Sequence, residues 1–461
     1  MNNTSNPSQH SELFHVWKTW WPLASSWLLM GCELPLMSAV MARLIDPEIS
    51  LAAYGGVVFP ISLLIEAPII MLLAASTALS KNWASYKQLR TFMLQLTIPL
   101  TALHILVAFT PLYDFIIIQI LAVPEKIIEP ARTGLMIMTP WTASIAIRRF
   151  QQGVLIRGGR SKSVATGTLF RLGINTFTLA VGLWVGMLSG IVVGSIAIAL
   201  GVIAEAIFVN RRTQPLLHKM KHTASSTDAT ITFAGLLHFY IPLAITPIMT
   251  LLALPIGTAA MSRMPNALSS MAVWPVVAGL SFAFRSVGLA YHEVVVALIE
   301  KPGTAPALRK FALLLGITTS SLLLLLTMTP LSHFWFHTVA GLSPDLVQLG
   351  TTSLWLAVLM PALTVLESWY QGILIQSHQT RAVTESVVIF LVGSVAVLVT
   401  GITLQIWPGI YVSLLATLVG FGCQTMWLGI RSKQIRQTLL RTTSSHEQLP
   451  STHVGPSHKV S

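Results

Sequence analysis

Apolar runs of about 20 or more residues, long enough to cross a bilayer as helices, recur along almost the whole chain. They occupy roughly 17–42, 51–79, 91–118, 131–156, 164–187, 189–210, 233–257, 267–299, 308–330, 346–376, 381–406 and 408–431. This pattern predicts an all-α, polytopic membrane protein with twelve transmembrane helices. The chain also nearly repeats itself about 220 residues on. Gln152-Gly153-Val154-Leu155-Ile156 returns as Gln371-Gly372-Ile373-Leu374-Ile375, Val58-Phe59-Pro60-Ile61 as Val273-Trp274-Pro275-Val276, and Trp21-Pro22-Leu23-Ala24 as Ile241-Pro242-Leu243-Ala244. Two homologous membrane halves are the build of a transporter. With six crossings each, both halves enter from the same side and are related by an axis along the membrane normal, which makes the cleft between them the natural substrate path.

The expected organisation is a six-helix bundle over 1–210, a cytoplasmic linker over 211–230, a second six-helix bundle over 231–435, and a disordered cytoplasmic tail over 436–461. Composition agrees with a membrane location: 53% of residues are hydrophobic, 10% are charged, and the mean hydropathy is +0.71. The net charge of +12 does not point to nucleic acid, because the basic residues lie in short loops between apolar runs rather than on one face. Lys81, Arg90, Arg160, Arg211, Lys301, Arg381 and Arg431 stand on one side of the spans, against Arg43, Lys126, Arg132 and Arg263 on the other. The positive-inside rule then places both termini in the cytoplasm and the protein in the cell (inner) membrane. Trp17, Trp20, Trp21, Trp335 and Trp407 near span ends read as headgroup anchors. Cys32 and Cys423 lie in apolar spans with no metal or disulfide spacing. The polar first dozen residues lack the features of a cleaved signal peptide.

Ionisable residues inside spans are the candidates for function. A charge at the bilayer centre costs about 2.5–3.5 kcal/mol even on the lower scales, so such groups face water or one another. Glu33, Glu66, Arg171, Glu205, Arg285 and Glu367 lie well inside, and Arg148 nearer an end. In Glu33-Leu34-Pro35 and Glu66-Ala67-Pro68 the proline lacks an N–H, which frees the carbonyls of Gly31 and Leu64. A carboxylate beside a freed carbonyl makes a proton or small-cation site; the competing reading is a simple kink whose Glu pairs with a buried Arg. The repeat alignment sets Glu66 opposite Ser281, one turn from Arg285, and predicts a gate ion pair between the second and eighth helices. Arg148 takes the repeat position of Glu367, predicting a second pairing, of the fourth and tenth helices.

Tyr54, Trp369 and Tyr370 are candidates to line a pocket, although helical aromatics usually pack. His104 and His238 read as packing histidines. His292-Glu293 begins like a zinc-protease motif, yet Val296 stands where the second His is required. Gly158-Gly159-Arg160-Ser161-Lys162-Ser163 lacks the spacing of a phosphate loop. With no nucleophile elbow, metal cluster or cofactor signature, a membrane enzyme has little support.

The acidic residue eleven positions after Pro22, the stretch Ser38-Ala39-Val40-Met41-Ala42-Arg43-Leu44, and Leu51-Ala52-Ala53-Tyr54-Gly55 opening the second span resemble the multidrug and toxic compound extrusion (MATE) transporters. The likeness extends to their superfamily of polysaccharide flippases and the progressive ankylosis protein. Val123-Pro124-Glu125 and Gly153-Val154-Leu155-Ile156-Arg157-Gly158 add to it. The resemblance implies a V-shaped pair of six-helix bundles, acting as a monomer in the lipid bilayer, that exports a small organic solute by alternating access driven by H⁺ or Na⁺. On this basis Glu33 matches the family's acidic residue in helix 1, and Glu367 lies where some members carry a coupling carboxylate. Arg171 and Asn175 depart from the usual Asn and Asp of helix 5, which speaks against Na⁺. The two arginines Arg171 and Arg285 suit an anionic or zwitterionic solute, as the progressive ankylosis branch would, unless they serve to neutralise the acids. A lipid-linked glycan flippase is the alternative within the same superfamily.

Overall fold

A computed structural model describes residues 7–223, 232–301 and 304–439. Within them the chain is helical, with one isolated bridge between Ile45 and Ser189. Twelve long helical units follow in order. α1 runs over Pro7–Gly31 and, past a break at Cys32, Glu33–Met41; α2 is Pro47–Leu79, α3 Trp83–Phe109, and α4 Ile128–Ile137 with Thr139–Arg157. α5 is Ser161–Val185, α6 Gly190–His222, α7 Phe233–Met261, α8 Ala267–Leu298, α9 Thr304–Met328, α10 Pro344–Gln376, α11 Thr380–Leu404 and α12 Gly409–Arg431. Eleven are long and apolar enough to cross a membrane, which makes this a multi-pass membrane protein. The exception is α4, which is broken near Met138 and carries Arg148, Arg149, Gln151 and Gln152. α6 continues through the first part of the expected linker, to His222, and residues 433–439 are helical where the disordered tail was expected to begin. Residues 224–231 and the rest of the tail, 440–461, lie outside the described residues.

The repeat is written into the backbone. Among the described residues eight have positive φ, and they form four pairs: Asp46 with Asn266, Ala122 with Gly341, Gly159 with His378, and Gly186 with Gln405, separated by 220, 219, 219 and 219 positions. Packing repeats in the same register. Gly153 in α4 faces Ser76 of α2, and Gly372 in α10 faces Val295 of α8, 219 positions on; Gly182 and Gly401 receive Val193 and Val412. Each of these contacts brings two helices closer than a Cβ would allow.

The halves interlock. α1 leaves its own half to pack Val16, Trp20 and Ala24 against Tyr291, Val294 and Phe311 of the other, and Trp20 donates its indole N–H to the Val287 carbonyl at 2.9 Å. Trp20 is therefore buried packing rather than a headgroup anchor, whereas Trp17 and Trp21 are exposed. Reciprocally, α7 packs on the first half, where the Tyr240 hydroxyl donates to the Pro68 carbonyl and the ring meets Phe92 edge-on.

On the side away from the basic loops the halves are clasped twice. A turn of π-helix over Phe115–Ile120 follows α3, and its equivalent over Phe334–Val339 follows α9. Their terminal carbonyls have no helical partner. Arg263 crosses to the first half and donates to Ile120 and Leu121 at 2.8 and 3.1 Å, while Arg43, 220 positions earlier, crosses to Thr338 of the second.

The α2–α4 crossing yields a stability test. A Cβ at Gly153 would sit 1.8 Å from Ser76 Oγ and 2.4 Å from the Leu73 carbonyl oxygen, whereas one at Gly257 meets nothing within 4 Å. Gly153→Ala is expected to destabilise the detergent-solubilised protein by about 1–3 kcal/mol, seen as a lowered melting temperature, and Gly257→Ala to leave it unchanged or raised.

Candidate functional site

The break in α1 positions the first acid. Pro35 cannot donate to the Gly31 carbonyl, α1 ends at Gly31, and Glu33 starts the next segment. Gly31 lets α8 approach, with Ala283 Cα 3.2 Å from where its Cβ would be. Glu33 turns inward to α5: Arg171 Nη1 lies 2.8 Å from each of its carboxylate oxygens, and Asn175 Nδ2 donates to Oε1. Asn175 fits only because Gly201 of α6 has no side chain.

Arg171 is shared. Its Nε stands 3.1 Å from Oε2 of Glu205 as an ion pair without hydrogen-bond geometry, and that oxygen accepts from Arg148 Nη1 at 3.0 Å. Glu205 Oε1 accepts from Gln152 at 3.0 Å and Thr168 at 3.4 Å. Two acids and two bases thus form one neutral chain, Glu33–Arg171–Glu205–Arg148, across α1, α5, α6 and α4. Its side chains are 15%, 8%, 0% and 8% exposed, so the charges lie largely inside the helix packing. Buried charges persist only when paired and hydrogen-bonded, and this network does both.

Glu66 is buried in α2 within electrostatic reach of Arg148 and Arg149. The Leu64 carbonyl is not free for a cation: the helix tightens after Glu66 and the Ala67 N–H takes it. The second half carries a smaller version. Glu367 Oε1 accepts from Gln371 and Gln424, each at 2.8 Å, while Arg285 donates from Nε to Thr364 at 2.8 Å and lies 4.2 Å from the ring centroid of Phe421.

At the backbone offset of 219, Glu66 corresponds to Arg285, Arg148 to Glu367, Gln152 to Gln371 and Glu205 to Gln424. The repeat conserves polar positions and inverts the charges. Acid on the second helix and base on the fourth in one half become base on the eighth and acid on the tenth in the other. This corrects both expected cross-half pairs. Glu66 does not meet Arg285, and Arg148 does not meet Glu367: Arg148 pairs with Glu205, Glu367 is held by Gln371 and Gln424, Arg285 bonds Thr364, and among the described residues no ion pair crosses between the halves.

Other candidates fall into different places. Tyr54 lies fully buried near the Glu33–Arg171 pair, stacked on Phe59 with no partner for its hydroxyl. Tyr370, one turn after Glu367 in α10, lies under the Arg436 guanidinium and against Gly429. His104 is a packing residue, bonded to Thr142 and the Leu135 carbonyl. Among the described residues no three His, Cys, Asp or Glu gather as metal ligands. Glu205 was visible as an intramembrane acid but given no role, and Arg149, Gln152 and Gln424 were missed; polar residues recurring 219 apart were the signal.

No family model and no curated protein matches the chain. Solved structures do. An inward-facing multidrug-resistance MATE family transporter of the MOP superfamily superposes with a TM-score of 0.66 at 12% identity, over 91% of this chain and 99% of that one. The lipid II flippase MurJ in an inward closed conformation gives 0.66 at 13% identity over 94% of each chain. The MATE transporter VcmN of Vibrio cholerae gives 0.63 at 14%, over 96% of this chain and all of the other. The fold is MATE-like. At these identities the MATE-like likeness establishes architecture, twelve helices in two bundles, and the roles of residues rest on this chain's own geometry.

Removing Glu205 leaves Arg148 and Arg171 sharing one fewer acid in a dry core, so Glu205→Ala is expected to cost about 3–5 kcal/mol. Gln424→Ala, at the repeat position, removes only a neutral donor and is expected to cost about 1 kcal/mol. Thermal unfolding in one detergent compares the two.

Proposed function

We propose that this chain is a proton-coupled transporter that exports a small organic solute through alternating access between its two halves. In this reading it works as a monomer in the cell membrane, with both termini in the cytoplasm. The observation that carries the proposal is the sharing of Arg171 between Glu33 and Glu205. Glu33 stands at the α1 break and is the more exposed of the two acids, so it is the group a proton reaches. A proton there removes one of the two carboxylates on Arg171, which keeps Glu205, and α1 loses its tether to α5. Because the first part of α1 is packed on the second half, that release loosens the joint between halves. Opening toward the side away from the basic loops also requires Arg43 and Arg263 to leave their carbonyls.

Arg149, beside Glu66, and Arg285 are span arginines without an ion pair among the described residues, and of these we assign Arg285 to the solute. Among the described residues it has no carboxylate within ion-pair distance, whereas Arg171 and Arg148 are occupied. This favours a solute with an anionic group held beside the Phe421 ring. A lipid-linked glycan flippase is the second reading, favoured by the MurJ match in fold over nearly all of both chains; it would need more free cations than the paired network leaves.

The test is reconstitution in liposomes with an imposed pH gradient and a panel of organic anions, following proton flux with a trapped dye. Wild-type protein is expected to couple the two flows, Glu33→Gln to lose the coupling, and Arg285→Gln to weaken apparent solute affinity about 10-fold or more, the worth of one charge-assisted bond. Gradient-dependent transport that survives intact in Glu33→Gln would remove the proposal.

A further inference from the structure

The basic side of the first half holds a cavity of about 670 Å³ between the ends of α3, α4 and α6, lined by Trp83, Tyr86, Arg90, Gln151, Asn210 and Lys221 with His218 beside them. Among the described residues no carboxylate lines it. Among the described residues neither Arg90 nor Lys221 is ion-paired. Surface cations alone would only report membrane topology. The floor is different in kind. Gln151 is 6% exposed; its Nε2 donates to Asn210 Oδ1 at 3.2 Å and reaches Tyr86 Oη at 3.4 Å, which leaves Oε1 buried with no partner. Trp83 stacks on Tyr86 at 5.5 Å, and Tyr86 packs on Phe150, so this floor is fixed.

From this geometry we infer a binding site for a phosphate ester that also carries a hydroxyl. The cations at the rim take the phosphate, and the unsatisfied amide oxygen of Gln151 accepts a hydrogen bond from the hydroxyl, since a buried acceptor left unpaired is costly. A bare inorganic anion would satisfy the first half of the site and not the second. The chemistry is that of glycerophosphate, supplied either as the headgroup of phosphatidylglycerol in the adjoining leaflet or as free glycerol 3-phosphate. The occupant is separate from the proposed transport path but mechanically close to it, because Gln151 adjoins Gln152, which holds Glu205, and Asn210 follows Glu205 in α6.

Full-length protein in phosphatidylcholine nanodiscs, with or without phosphatidylglycerol, tests the assignment by native mass spectrometry of retained lipid; calorimetry with glycerol 3-phosphate in pure phosphatidylcholine discs tests the soluble source. Arg90 and Lys221 are exposed, so Arg90→Gln with Lys221→Gln keeps the fold and is expected to reduce retention at least 10-fold. Gln151→Met is expected to abolish the preference for phosphatidylglycerol over phosphatidic acid, and Arg381→Gln, on the other half, to change nothing. Calorimetric binding that the double variant loses would support the site with a soluble occupant. Retention equal in wild type and double variant with no glycerol 3-phosphate binding, or an equal loss in Arg381→Gln, would overturn the proposal.

Discussion

Charge inside this membrane protein is tolerated because it is cancelled locally, and the ion-paired Arg171 is where the cancellation is most exacting. One guanidinium satisfies Glu33 on one side and touches Glu205 on the other. In a medium of low dielectric constant an unpaired ion costs several kcal/mol, whereas an alternating row of opposite charges costs far less. The row therefore fixes how α1, α5, α6 and α4 sit together. It also means that protonating any one member is felt by its neighbours, which gives a single proton leverage over helix packing.

Charge inversion between the halves follows from the same constraint. A duplicated bundle with identical charges would repeat any imbalance, but here acid and base exchange places between the halves, Glu66 and Arg148 in one against Arg285 and Glu367 in the other, so the formal charges of each set cancel without the two members forming an ion pair. The halves need no ion pair across the cleft to stay neutral. They are joined instead by apolar packing of α1 and α7 and by arginine bonds to the ends of two π-turns. Neutral and backbone contacts of that kind exchange with water more cheaply than a desolvated salt bridge, as suits a joint that opens and closes.

Much of the fold was legible before any coordinates. Eleven of the twelve spans show as apolar runs that satisfy a length and hydropathy test, and the duplication shows in Gln152-Gly153 and Gln371-Gly372. The site was less so. Matching Val58-Phe59-Pro60 to Val273-Trp274-Pro275 sets the offset at 215, four short of the backbone value of 219, and four residues are about one helical turn. In apolar helices such a slip goes unnoticed because i and i+4 share a face; it put Glu66 opposite Ser281 instead of Arg285 and suggested a cross-half pair. Glu205 was harder still, since its partners lie 34 and 57 positions away in sequence, and nothing local marks a lone acid in an apolar helix as the centre of a network.

In the proposed alternating access, the placement of Arg43 and Arg263 decides what has to be released on one face. Both sit on the side poor in basic residues, where positive charge is otherwise sparse, and each reaches carbonyls that a π-turn has left unpaired on the opposite half. A cation near the C-terminal end of a helix is favoured by the helix dipole as well as by the bonds themselves, so the clasp needs no acid partner. When it opens, the carbonyls pass to water at a membrane surface, and the guanidinium groups do the same, so little desolvation energy separates the clasped and released states. The deep charges tie helices together within the first half, and the clasp holds the halves to one another on one face. Because the two arginines are repeats of one another, the clasp is symmetric about the pseudo-twofold axis.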